Sequence, residues 1–222
     1  FSEIYTPAKV LDFHSFGREV LVGYQCTALD PLVSLYINET GSQLAKLIGF
    51  SIRTPSDDGE HQEYQIKKHT NFAFLVEVGD SFQPPYSEAL EEVKRVMPLV
   101  RSFLDTPIPL RGHVMDRHSG RPIGNATIDV SGIRWLSGES RRTNPTFGSY
   151  YSFLPPGQYE FTFSAPGYQS TSVTVVLPRG EARSPVVVQD VYMELAGKTN
   201  GENKKIAENT ASDAEHFLLF AQ

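Results

Sequence analysis

Hydrophobic spacing divides this chain into two stretches of different period. In residues 1–105, short apolar runs alternate with helical patterns, which predicts a mixed α and β fold. Val20 to Tyr24 is an apolar run suited to a strand. Ser42-Gln-Leu-Ala-Lys-Leu-Ile-Gly49 has helical spacing and ends on glycine, a common helix stop. Thr54-Pro-Ser-Asp-Asp-Gly59 has the composition of a loop. Phe72-Ala-Phe-Leu-Val-Glu-Val-Gly79 is nearly continuous in apolar residues, as a strand buried on both faces should be. From Ser87 to Leu104, residues Leu90, Val93, Val96, Met97 and Val100 recur at helical intervals with Glu and Lys between them. This predicts an amphipathic helix, with Pro98 placed to kink it.

Beyond Thr106-Pro-Ile-Pro109 the period falls to two. Leu110 to Met115, Ala126 to Val130, Ser149 to Phe153, Gln158 to Phe163, Thr171 to Val176 and Val186 to Met193 read as six or seven strands. Ser119-Gly, Pro155-Pro-Gly and Ala165-Pro-Gly supply turns between them. The expectation is an α/β unit over residues 1–105, then an all-β antiparallel sandwich over 107–195. From Gly197 onward Lys, Glu, Asn, Thr and Ser predominate, which predicts a disordered tail over 197–222.

Composition narrows the function only slightly. Hydrophobic residues make up 40% and the formal net charge is −6, a balance that argues against nucleic acid as a partner. No run approaches the roughly 18 apolar residues that span a bilayer. The chain opens on Phe1 without an initiator Met, so the native N-terminus is expected to be missing. The single cysteine, Cys26, excludes an internal disulfide framework, leaving a small buried thiol or a pairing with a cysteine outside the sequence. Two acceptor sequons, Asn38-Glu-Thr40 and Asn125-Ala-Thr127, make Asn38 and Asn125 candidate glycosylation sites. They point to a secretory or extracellular location, with membrane association through a missing segment.

The chemistry concentrates at two residues. Glu77 interrupts the most strand-like segment, and a carboxylate there costs several kcal/mol if dehydrated and unpaired. It must therefore lie at a strand end facing a cavity, or have a partner. His14, in Asp12-Phe-His14-Ser-Phe-Gly, precedes an apolar run, where a histidine is either a metal ligand or an ordinary structural residue.

Taken in order, His14-Ser15-Phe16 and Phe74-Leu-Val-Glu77-Val-Gly resemble the zinc metallocarboxypeptidases of the carboxypeptidase A type. In that family a His-Ser-Tyr-type motif supplies the third zinc ligand, and a late Phe-x-x-Glu-Leu-type strand supplies the catalytic carboxylate. Leu110-Arg-Gly-His-Val and Gly157-Gln-Tyr-Glu-Phe resemble the transthyretin-like domain that follows the catalytic domain in many members. The resemblance extends from residue 1 to about 195. It implies Zn2+ as cofactor, His14 as a ligand and Glu77 as general base. Ser15, Phe16 and Gln62 would lie on the substrate side, with peptide or protein C-termini as substrate. Zinc in such hydrolases is held by three protein ligands, acidifies a bound water and polarises the scissile carbonyl. A neighbouring carboxylate takes the water proton and delivers it to the leaving amine.

The chain also departs from the family pattern. It has no H-x-x-E, the motif that carries the first two ligands upstream of the third, and the substrate-binding arginines belong to the same upstream half. The chain is accordingly expected to be an incomplete, inactive part of the enzyme. The place of the family's mobile tyrosine falls near Pro55, with Phe50 and Tyr64 as imperfect substitutes, and Phe16 stands where tyrosine is frequent. Gln62 falls near the floor of the specificity pocket and Gln25 near a second pocket position. Glu60 and Glu63 enter the pocket if the register slips, and are otherwise solvated loop charges. Arg134, Arg141 and Arg142, near Trp135, read as solvated arginines or as a binding surface. The competing function is a non-catalytic binding or interaction protein.

Overall fold

The computed structural model describes residues 2–23, 29–55, 59–136, 138–179 and 186–197. Gln25, Cys26, Asp57, Asp58 and the predicted tail from residue 198 onward lie outside the described residues.

The first part is built on a strand, β4 (Phe72–Glu77), that is buried at every position but its last. Around it are α1 (Ser2–Tyr5), β1 (Lys9–His14), β2 (Glu19–Leu21), α2 (Pro31–Ile48), β3 (Ser51–Arg53), α3 (His61–His69) and α4 (Tyr86–Asp105). The sheet order is β1-β4-β2-β3. β1 runs parallel to β4, β2 antiparallel to β4, and β2 parallel to β3. α2 packs on β2, β3 and α4, while α3 packs on β1 and β4.

Local chemistry explains where the helices start and stop. Asp30 accepts a hydrogen bond from the Leu32 N–H, Pro31 occupies the first turn, and Gly49 closes α2 in the left-handed region at φ 74°. This helix extends well upstream of the segment over 42–49 that periodicity marks. Gly41 lies on its sheet-facing side, where an added Cβ would come within 2.4 Å of Val22 Cγ1, so glycine lets the helix lie against the sheet. α4 continues through Pro98 and buries Val96, Leu99 and Phe103. At its C-terminal end the Lys9 ammonium donates to the carbonyls of Phe103 and Leu104, each at 2.9 Å, and to Thr106. A cation there complements the helix dipole and satisfies carbonyls that have no partner within the helix. α3 is a helix where only loop charges were expected. Glu60 stands at its N-terminus, and Glu63 is buried and accepts the Gly59 N–H at 2.9 Å.

The second part contains β5 (Leu110–Asp116), β6 (Thr127–Val130), β7 (Ser149–Ser152), β8 (Gly157–Ser164), β9 (Thr171–Leu177), β10 (Val187–Val188) and β11 (Val191–Met193). One sheet joins β7, β5 and the pair β10 and β11; the other has the order β6-β8-β9. Alternate residues of β5 and β8 are buried, so Leu110, Val114, Phe161 and Phe163 contribute to the core. The expectation of a wholly antiparallel sandwich is corrected here, because β10 and β11 both pair parallel with β5. After β9 the chain leaves one sheet for the other and enters it in the same direction as β5; a crossover of this kind permits parallel pairing. Between the two short strands, Asp190 Oδ1 accepts the His113 N–H at 2.8 Å and the Tyr150 hydroxyl donates to Gln189 O at 2.6 Å.

The two parts meet across an aromatic stack ringed by hydrogen bonds. Phe72 lies flat on Phe153, with ring centroids 4.6 Å apart and planes at 10°, and also meets Phe74, Phe103 and Tyr36. The Tyr151 hydroxyl lies 2.8 Å from Pro7 O and 2.5 Å from Asn71 Oδ1. Asn144 donates to Thr6 Oγ1 at 2.8 Å, and the Arg134 N–H to Asp30 Oδ2 at 3.0 Å. Phe72→Ala is expected to lower unfolding stability by about 3–5 kcal/mol, read from urea denaturation of the chain. A loss below about 1 kcal/mol would show that the stack does not join the two parts.

Candidate functional site

The C-terminal ends of β1 and β4 carry the candidate site. Their parallel register ends on the pair His14 and Glu77, so neighbouring strands place the two residues side by side. On the other flank of β4, β2 sets Glu19 opposite Glu77, a repulsive pairing of like charges. Arg53 relieves it by donating to Glu19 Oε2 at 2.5 Å.

Glu77 itself is half-buried, and its Oε2 is shielded from solvent with no hydrogen-bond partner among the described residues. Desolvation raises its pKa above the ordinary 4.5. The charges of His14 and Arg53 oppose that shift, and those of Glu60 and Glu19 reinforce it. The His14 side chain is 51% exposed, with Nε2 3.1 Å from Asp12 Oδ2. His61 reaches the same oxygen through Nδ1 at 2.9 Å, and its Nε2 lies 2.8 Å from Gln65 Nε2. One carboxylate oxygen thus serves two imidazoles. Sequence reasoning gave no role to Asp12 or His61. The alternation Asp12-x-His14 was the available sign for the first, since residues two apart on a strand share a face.

The remaining predicted residues divide. Ser15 is close to the site and donates through Oγ to Phe82 O at 3.1 Å; Phe16 is 56% exposed beside it. Gln62 is fully buried, with Nε2 donating to Glu60 Oε2 at 2.8 Å and Oε1 unpartnered among the described residues. Phe50 belongs to the core, whereas Tyr64 is exposed on α3. Asn38 lies inside α2, its amide donating to Ser34 O at 2.8 Å, and Asn125 is exposed in a turn at φ 57°. Arg141 is not a solvated arginine: it is 6% exposed, and its guanidinium lies 5.1 Å from the Trp135 ring.

The loops that frame the site are tied to α4. Glu92 accepts from Arg18 at 3.2 and 2.9 Å and from the Gly79 N–H at 3.1 Å, while Arg18 also pairs with Asp80 at 2.8 Å. The segment after β1 and the segment after β4 are therefore held on one carboxylate. Among the described residues, no three His, Cys, Asp or Glu side chains are grouped to hold a metal ion.

With this geometry in view, similarity to known proteins assigns the second part. Residues 109–191 match the family model described as "Carboxypeptidase regulatory-like domain". Among curated relatives, human carboxypeptidase D is 30% identical over 127 residues, which is 56% of this chain and 9% of that protein. Carboxypeptidase SOL1 of Arabidopsis thaliana is 31% identical over 48% of this chain and 21% of its own length. Human carboxypeptidase Z is 33% identical over 50% and 16%, respectively. The chain thus carries a carboxypeptidase regulatory-like, transthyretin-like domain, and is homologous to these carboxypeptidases over it. It spans only a fraction of the length of the relatives it matches.

The Glu92 cluster makes stability depend on pH. Hydrogen bonds from Arg18 hold the Glu92 carboxyl below its ordinary 4.5, aided by the Gly79 N–H and by the charges of Arg18 and Arg95, against the effect of burial. A lowered folded-state pKa contributes stability above 4.5 that is lost as the pH falls through the folded value. Glu92→Gln should therefore melt at a lower temperature than the parent at neutral pH and lose less on acidification. Parallel melting curves for the two proteins from neutral to acid pH would contradict this.

Proposed function

We propose that residues 1–105 are the C-terminal part of a zinc metallocarboxypeptidase catalytic domain, and that the complete protein releases C-terminal residues from peptides or proteins. The observation that carries this reading is the β1–β4 register, which sets His14 beside Glu77, whose desolvated carboxylate oxygen has no partner among the described residues. A carboxyl with a raised pKa next to an imidazole is suited to taking a proton from water and passing it to a leaving amine. The regulatory-like domain that follows supports the same assignment.

The residues at hand do not by themselves compose a zinc centre. His14 is a suitable donor, but among the described residues no three His, Cys, Asp or Glu side chains are grouped to hold the metal. In this reading His14 is one ligand of three, and the others, with the substrate-binding arginines, come from outside this sequence. Zinc would supply Lewis acidity and an acidified water. Ser15 and Phe16 flank the substrate side. Gln62, fully buried, would act on the specificity pocket by holding Glu60. A secretory or extracellular location accompanies the proposal, with Asn125 in an exposed turn as the better-presented of the two candidate glycosylation sites. Among the described residues no helix is long and apolar enough to cross a membrane.

A second reading, a non-catalytic interaction protein, is favoured by one observation: the family match is confined to residues 109–191. Zinc content and release of C-terminal residues separate the two. In a protein that includes the upstream ligands, Glu77→Gln should lower kcat by about 10²- to 10⁴-fold and leave zinc content unchanged. His14→Ala should lose zinc, and the 222-residue chain alone should bind no stoichiometric zinc. Full activity in Glu77→Gln would remove the assigned base, and a complete protein without zinc or turnover would leave the interaction reading.

A further inference from the structure

A cleft of about 340 Å³ lies between the last turn of α3 and the loop joining β6 to β7. It is within the size range of small-molecule sites. Its walls carry three cations, Lys68 from the α/β part and Arg141 and Arg142 from the sandwich, and no Asp or Glu among the described residues lines it. That is unexpected in a chain whose formal net charge is −6. Lys68 and Arg142 are exposed, whereas Arg141 is 94% buried by its 6% exposure.

Arg141 is the informative residue. Its Nε donates to Thr70 Oγ1 at 3.3 Å and its Nη1 to Ser152 Oγ at 2.8 Å, which leaves donors of the guanidinium without a partner among the described residues. No ion pair joins it to a carboxylate there. Glu139, which has an interaction of its own, lines a separate small cavity with Arg141 and Trp135, and no ion pair among the described residues includes Arg141. Desolvation lowers the Arg141 pKa to about 10, and the neighbouring Tyr151 hydroxyl opposes that shift. A buried guanidinium without a counter-ion is a costly arrangement unless an anion compensates it. Three carbonyls at the C-terminal end of α3, where free oxygens would repel an anion, accept hydrogen bonds: Ile66 O from the Thr70 N–H at 2.8 Å, Gln65 O from the Asn71 N–H at 3.2 Å and His69 O from Thr70 Oγ1 at 2.7 Å.

We propose that this cleft binds a tetrahedral oxyanion, phosphate or sulfate, either free or carried as a monoester on a small molecule, with Arg141 at its floor and Lys68 and Arg142 at its rim. Three cations without an acid favour a divalent anion over a single carboxylate, and guanidinium groups match the geometry of such oxygens. Because the walls come from both parts of the chain, the bound anion also fastens the sandwich to the α/β layer. The inference is independent of the peptidase reading.

Titration calorimetry and thermal melting of the 222-residue chain test it, with inorganic phosphate or sulfate added at an ionic strength held constant by sodium chloride. Saturable heat and a melting temperature that climbs with anion concentration are expected. The double variant Lys68→Gln/Arg142→Gln, altered only at exposed positions, should bind roughly tenfold more weakly or worse while melting like the parent in chloride. Tighter binding of glycerol phosphate than of inorganic phosphate would identify a carried monoester, and equal or weaker binding a free anion; both support the site. No saturable heat with either inorganic anion, or undiminished binding by the double variant, would overturn it.

Discussion

The packing of Phe72 against Phe153 is the contact on which the rest of the molecule depends. Phe72 opens β4, and its N–H donates to Ala8 O at 2.9 Å, so the same residue starts the central strand and docks the sandwich. Aromatic pairs of this kind contribute about 0.5–1.5 kcal/mol beyond the area they bury, and this ring meets four others. The polar ring around it, Tyr151 with Pro7 and Asn71 and Asn144 with Thr6, adds direction that apolar contact lacks. β4 is anchored at one end by this interface, and Glu77 lies at the other.

Two carboxylates near that far end illustrate how differently the fold treats acids. Glu92 is nearly saturated with donors and ties two loops to α4. Glu77, two residues before the Gly79 that Glu92 binds, retains a shielded oxygen without a donor among the described residues. Native structures leave few buried polar atoms unsatisfied, so such an atom calls for a function or for a partner from elsewhere. Arg141 presents the complementary case, a buried cation whose partners among the described residues are two hydroxyl oxygens and the face of Trp135. Among the described residues, Glu77 and Arg141 thus stand as a carboxylate short of donors and a guanidinium short of acceptors, at separate sites.

Much of this architecture was legible in the residues themselves. The strands of the sandwich follow from alternation, because one face of each is buried and a period of two records that directly. The parallel pairing of β10 and β11 with β5 was not legible, since it depends on which sheet the returning chain enters. α3, His-Gln-Glu-Tyr-Gln-Ile-Lys-Lys-His, has few apolar residues to mark a helical face, and its packing on β1 and β4 holds it. The middle of α2 contains Asn38-Glu-Thr-Gly41, residues that resemble a turn until Gly41 is seen to permit close contact with Val22. At the site, Glu77 was visible because a lone carboxylate in an apolar strand conflicts with its surroundings. His61 was hidden because its contact with Asp12 joins residues 49 positions apart.

The central claim is that β1 and β4 hold Glu77 beside His14 as a desolvated carboxyl with a function, rather than as an ordinary surface acid. Titration of the Glu77 side-chain carboxyl by carbon-detected NMR, in the chain and in His14→Ala, addresses this directly. Desolvation predicts a midpoint above the ordinary 4.5, and loss of the His14 charge should move it further up. A midpoint at or below 4.5, unmoved by His14→Ala, would contradict it.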